Sequence, residues 1–131
     1  MHLILQEIDQ VMVWGDEDRL KQVLINIVSN ALTYTPEGGE IRFSLQKVSG
    51  KAEVQIADTG PGIPEEDLPH IFKRFYRTEK ARTRSEESGV GLGLSIVYWI
   101  VEYHEGEIEV ESEKGRGTTF TVYFPLLEKE K

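Results

Sequence analysis

Residues 16–35 constrain this chain more than any other stretch. Leu20, Val23, Leu24, Ile27, Val28, Ala31 and Leu32 recur at i, i+3 and i+4 without a gap, the spacing of an amphipathic helix that must lay one face on a core. Asp16 stands where an N-cap is expected, but Arg19 follows three residues later, so a full capping box is absent. Pro36 and Gly38-Gly39 end the helix. Strands are available to cover its apolar face. "EIRFSLQKV" and "AEVQIAD" alternate across Ser49-Gly50-Lys51 as a hairpin, and "EIEVES" and "TTFTVYFPL" pair across Gly115-Arg116-Gly117. Residues 3–14 read as extended with a break near Asp9, and "EEDLPHIFKRFY" as a short helical segment interrupted near Pro69. A second helix, about residues 90–104, is apolar nearly all round and is expected to be well buried. Helices and mostly antiparallel strands in separate blocks predict an α/β two-layer sandwich, its mixed, mostly antiparallel sheet covered by helices on one face.

A length of 131 residues suits one domain, residues 1–131, with a proper core. The net charge of −8 argues against a nucleic-acid partner, which would ask for a basic stripe. It leaves room for a phosphorylated small ligand, because local donors and a metal override the overall field. Without cysteines there are no thiolate metal sites or disulfides. No apolar run approaches the roughly 20 residues of a membrane span, so direct membrane insertion is not expected. His2, His70 and His104 show no metal-ligand spacing and receive no catalytic role.

Three stretches carry chemistry. On the first helix Asn26 and Asn30 stand one turn apart on a polar strip beside the apolar one, with Arg19, Gln22 and Thr33. Their carboxamides suit Mg2+ when substrate phosphates supply the charge, though two asparagines alone more often mark an ordinary solvated face. Asp58 closes an apolar strand and enters Thr59-Gly60-Pro61-Gly62-Ile63. That loop reads either as a plain turn or as a close backbone approach to a flat ligand, with Asp58 accepting from an exocyclic amine. The second use favours adenine over guanine, whose O6 would face the carboxylate as another acceptor. "SGVGLGLSIVYWIV" places Gly89, Gly91 and Gly93 before a helix. It matches neither the P-loop nor the dinucleotide fingerprint, and serves as an anion-friendly helix start or as a packing turn. Arg77, at the end of "IFKRFYR", either reaches a phosphate or lies in solvent.

The order of these pieces resembles the catalytic and ATP-binding domain of bacterial sensor histidine kinases, in the wider group of DNA gyrase B, Hsp90 and MutL. The resemblance runs from Val11 to Pro125. It rests on "DEDRLKQVLINIVSNALTYTPEGG" as the asparagine box, "DTGPGI" and "GVGLGL" as glycine boxes, "IFKRFYR" as the phenylalanine box and "GRGTTF" as the closing Gly-x-Gly-Thr. It implies a Bergerat-type ATP-binding fold with ATP and Mg2+. By this resemblance Asn30 is the metal ligand, with Asn26 beside it near the phosphates, and Tyr34 lies against adenine. Asp58 accepts from the N6 amine, while Gly60, Gly62 and Ile63 pass close to the base and Thr118 supports it. Arg77 contacts the outer phosphates. Gly89, Val90, Gly91, Leu92, Gly93 and Leu94 wrap the triphosphate, and residues 77–88 form a mobile ATP lid.

Two departures stand out: Thr33 where many members carry Lys or Arg, and Val90 where threonine is commoner. Asn26 occupies the position of the glutamate that activates water in the gyrase and Hsp90 branches, and an amide cannot act as a base. The resemblance therefore implies γ-phosphoryl transfer to a histidine on a separate dimerisation and phosphoacceptor domain. Asn26, Asn30 and Arg77 would serve by positioning and charge neutralisation. No histidine followed by Glu/Asp-Leu-Arg-Thr-Pro occurs in the chain, so the dimerisation domain is expected to be absent, with a response regulator downstream. A cytoplasmic location is expected, compatible with a parent anchored in the inner membrane. Two alternatives share the fold: a nucleotide-binding regulatory module with little transfer activity, and a serine kinase acting on anti-anti-sigma factors.

Overall fold

The computed structural model describes residues 2–8, 13, 15–35, 38–72, 93–113 and 115–126, with the backbone alone for 2–8, 17, 33, 34 and 93. In chain order these residues form β1 (His2–Ile8), α1 (Glu17–Tyr34), β2 (Glu40–Val48), β3 (Lys51–Asp58), a 3-10 turn (Leu68–His70), α2 (Gly93–Tyr103), β4 (Glu107–Glu113) and β5 (Gly117–Pro125). The strands make one sheet in the order β1-β2-β3-β5-β4. β1 runs parallel to β2, and every other pairing is antiparallel. The expected two-layer sandwich is therefore what forms.

Alternation decides which face the helices cover. Ile41, Val54, Ile56, Phe120, Val122 and Phe124 share one face of the sheet and join Val23, Ile27 and Ala31 of α1 with Val97, Ile100 and Val101 of α2 in a single core. The opposite face is polar: the Glu107, Glu109 and Glu111 positions of β4 are exposed and lie opposite Tyr123, Thr121 and Thr119 of β5. This in-and-out alternation is what a sheet with one covered face requires.

α1 begins where Asp16 caps it. The Asp16 carboxylate accepts from the amides of Asp18 at 3.0 Å and Arg19 at 3.3 Å, satisfying two of the free N–H groups of the first turn. His104, at the C-terminal end of α2, locks that start in place. One ring nitrogen donates to the Ile100 carbonyl at 2.8 Å, which leaves Nε2 to accept from the Asp16 amide at 3.1 Å. Gly15 is needed beside it, because a Cβ there would lie 2.5 Å from the imidazole. The helix ends at Thr35, extended at φ −90° and ψ 126°, as expected of a residue before proline.

The β2–β3 connection is tighter than the sequence suggested. Lys51 already pairs with Val48, and Ser49 and Gly50 alone make the turn at φ 51° and 79°, the positive-φ pair a two-residue hairpin favours. Pro69 does not interrupt a helix; it sits inside the 3-10 turn at its first positions, where its missing N–H costs nothing.

Two burial expectations fail. Leu32 is 53% exposed, because the i+4 row from Leu20 rotates about 40° per step and carries Leu32 about 140° from Ile27. α2 is not buried all round: Val97, Ile100 and Val101 are covered, whereas Trp99 and Tyr103 are 60% and 65% exposed and stack at 5.8 Å. A helix in the outer layer of a two-layer fold has one covered face, however apolar its sequence. Among the described residues no helix is long and apolar enough to cross a membrane.

Candidate functional site

The C-terminal end of β3 gathers the best-defined polar group. Register places Asp58 opposite Thr118 of β5, and Thr118 opposite Ser112 of β4. These three form one row on the helix-covered face, where the apolar layer gives way to hydrogen-bonding side chains. Asp58 Oδ1 accepts from the Gly60 amide at 2.8 Å, closing a tight turn. Burial pushes the Asp58 carboxyl above the usual carboxylate range, while the Gly60 and Thr118 amides pull it part of the way back. Gly62 adopts φ 83° and Gly117 φ 124°. A Cβ on Gly117 would lie 2.0 Å from the Asp58 carbonyl oxygen, so the two strands meet closely only because that side chain is missing.

The loop after Asp58 is fastened on both sides. The Thr59 amide donates to the Glu40 carbonyl at 3.1 Å, and the Thr59 hydroxyl accepts from the Glu40 amide at 2.9 Å. On the far side the Gly115 amide donates to the Pro61 carbonyl at 2.7 Å, and the Ile63 amide donates to Ser112 Oγ at 2.6 Å. Neither Thr59 nor Ser112 was singled out from the sequence. Ser112 carried a readable signal, however: it is the polar residue in the apolar phase of Ile108, Val110 and Ser112.

Asn26 and Asn30 are half-buried on one flank of α1, about 100° and 60° from Ile27 in the same rotational sense. The end of that helix is six residues of chain from Glu40, which holds Thr59, so its C-terminal half comes down at the Asp58 end of the sheet. Asp58, Gly60, Ile63 and Thr118 are thus brought into one cluster. Leu94 packs against the core from the first turn of α2, which Gly93 begins. Tyr34 is placed by its backbone alone. Arg77, Gly89, Val90, Gly91, Leu92 and the 77–88 segment lie outside the described residues. From the phenylalanine box Ile71 is buried in the core and Phe72 meets Tyr98 at 5.4 Å and Phe120 at 6.4 Å, so the start of that motif has a packing role.

The site thus offers a hydrogen-bond-accepting, partly buried carboxylate at a loop pinned by four hydrogen bonds, and α1 offers a flank with two carboxamides. Residues 15–128 match the model of the histidine kinase-, DNA gyrase B- and HSP90-like ATPases. The chain belongs to that family. It is 42% identical over 130 residues to the sensor histidine kinase YclK of Bacillus subtilis strain 168, covering 98% of this chain and 27% of YclK. Among solved structures, the mycobacterial sensor histidine kinase MprB superposes with a TM-score of 0.83 at 29% identity, over 95% of this chain and 83% of MprB. Full-length ShkA in complex with AMPPNP gives 0.82 at 28% identity, over 99% of this chain and 26% of ShkA. The chain thus spans about a quarter of the curated relative it matches, the part that is the ATP-binding catalytic domain of histidine kinases.

Proposed function

We propose that this domain binds Mg-ATP and passes the γ-phosphoryl group to a histidine on a separate dimerisation domain, as part of a two-component sensor kinase. The observation that carries the reading is the Asp58 corner. A carboxylate held by the Gly60 amide at 2.8 Å and by the Thr118 amide is an acceptor aimed by backbone, suited to an exocyclic amine. In this reading Asp58 takes the N6 amine of adenine, with Gly60, Gly62, Ile63 and Thr118 around the base and Tyr34 beside it.

The α1 flank serves the other end of the ligand. Among the described residues no group of three or more His, Cys, Asp or Glu side chains could hold a metal ion. The donor set offered by Asn26 and Asn30 is neutral oxygen, which fits Mg2+ already carrying phosphate ligands. Bound there, Mg2+ would supply charge neutralisation to the β- and γ-phosphates. Asn30 is assigned as its ligand, with Asn26 beside it; Arg77 and the stretch from Gly89 to Leu94 are assigned to the phosphates. Because Asn26 cannot take a proton from water, the site should hold ATP for a better nucleophile rather than hydrolyse it rapidly. A response regulator would receive the phosphoryl group from the histidine, and the need for ATP places the domain on the cytoplasmic side.

The test is phosphotransfer in trans. A histidine-kinase dimerisation domain from the parent protein, mixed with this domain and Mg-ATP, should acquire acid-labile, base-stable label on histidine. ATP binding without any such label at high domain concentrations would contradict the transfer step.

A further inference from the structure

Ser112 has no role in the reading above, yet it touches three other groups of the Asp58 corner. Its oxygen accepts from the Ile63 amide at 2.6 Å, lies 3.1 Å from the Gly117 carbonyl and lies 2.9 Å from Thr118 Oγ1. A hydroxyl has one proton to give and two lone pairs to receive with. The Gly117 carbonyl can only accept, so the Ser112 proton goes there. Its two lone pairs then take the Ile63 amide and the Thr118 hydroxyl proton. This is the one assignment in which all three contacts are hydrogen bonds.

The consequence falls on Thr118, only 6% exposed. With its proton committed to Ser112, the Thr118 oxygen can only accept. Asp58, its neighbour in register, also only accepts when ionised. We propose that Ser112 is a specificity-determining positioning residue: it fixes the polarity of the Thr118 hydroxyl so that the base corner presents acceptors alone. Such a corner selects a purine bearing an amine at C6 over one bearing an oxygen there. The inference rests on the nucleotide reading and deepens it, since it assigns base choice to a side chain on β4 that need not touch the base.

Inosine triphosphate is the probe, because it replaces that amine by oxygen and leaves the triphosphate unchanged. Dissociation constants for ATP and inosine triphosphate are measured on the wild-type chain, Ser112→Ala and Ser112→Thr, with melting curves taken without nucleotide. The wild type should prefer ATP by about tenfold or more, the scale of one mismatched hydrogen bond. In Ser112→Ala the Thr118 proton is free to turn toward an oxo group, so the preference should shrink by about threefold or more. Ser112→Thr keeps the hydroxyl and should keep the ratio. A folded Ser112→Ala with the wild-type ratio overturns the proposal, as does a wild type that binds both nucleotides equally. A wild type that binds neither overturns the nucleotide reading with it. Should Ser112→Ala fail to fold, Ser112→Cys substitutes a weak thiol, and an unchanged ratio there likewise overturns the proposal.

Discussion

The Asp58 corner and the asparagine flank of α1 are built on opposite principles. Asn26 and Asn30 need nothing but helical spacing: a turn of backbone sets them side by side, and any polar flank of this helix would do so. Asp58, Thr118 and Ser112 come from three strands, Thr118 and Ser112 standing 60 and 54 positions after Asp58 in the chain. They meet only through sheet register and the missing Cβ of Gly117. One half of the candidate site is therefore local and tolerant. The other is long-range, and in the proposed reading its contacts serve stability and recognition together.

That contrast is broken most severely at Gly117. Gly117→Ala adds a Cβ at 2.0 Å from the Asp58 carbonyl oxygen and forces φ 124° on an L side chain. It should cost about 3 kcal/mol or more, visible as a thermal midpoint lowered by about 10 °C or more. A midpoint within a degree of wild type would show that the strands do not need this close approach.

Thr59→Val tests the loop's other fastening. It removes the acceptor for the Glu40 amide while keeping the shape, and should cost about 1 kcal/mol in denaturant unfolding. No loss would mean that water replaces the hydroxyl without penalty.

A smaller effect, of opposite sign, is expected at Asp58. Its folded pKa is raised above 3.8, so the folded chain binds the proton more readily than the unfolded one. The penalty for the buried charge is full above the raised pKa, shrinks as pH falls through it and is gone below 3.8. Asp58→Asn should therefore melt slightly higher near neutral pH, with the gap closing toward acid. A gap that widens on acidification would reverse the assigned cause. If Asp58 takes the adenine amine as proposed, ATP affinity of the wild type should weaken as pH falls through the raised pKa, and a pH-independent affinity would contradict that role.

Much of this was legible from residue patterns, and the parts that were not share a cause. α1, both hairpins and the layer assignment follow from periods of 3.6 and 2, which are local properties. Asn26, Asn30, Asp58 and Thr118 were named as candidates through motif order, and of these Asp58 and Thr118 do meet. Trp99 and Tyr103 misled because composition says how apolar a helix is, whereas its exposure depends on how many layers enclose it. Leu32 misled because an i+4 row slowly leaves the face it starts on. Ser112 was visible only as a polar residue in an apolar phase; its importance depends on Ile63, Gly117 and Thr118 arriving from elsewhere. Register between distant strands is not written in any window of the chain.

The division into a base end and a phosphate end is tested most directly by titrating ATP and inosine triphosphate, with and without Mg2+, into wild type, Asn30→Ala and Asp58→Asn. Asn30→Ala should lose the gain in ATP affinity that Mg2+ brings, by about tenfold, while keeping the ATP preference and the melting midpoint. Asp58→Asn should do the reverse, losing the preference and keeping the Mg2+ gain. If Asn30→Ala leaves the Mg2+ gain intact, or if each substitution moves both quantities alike, the two-ended site is wrong.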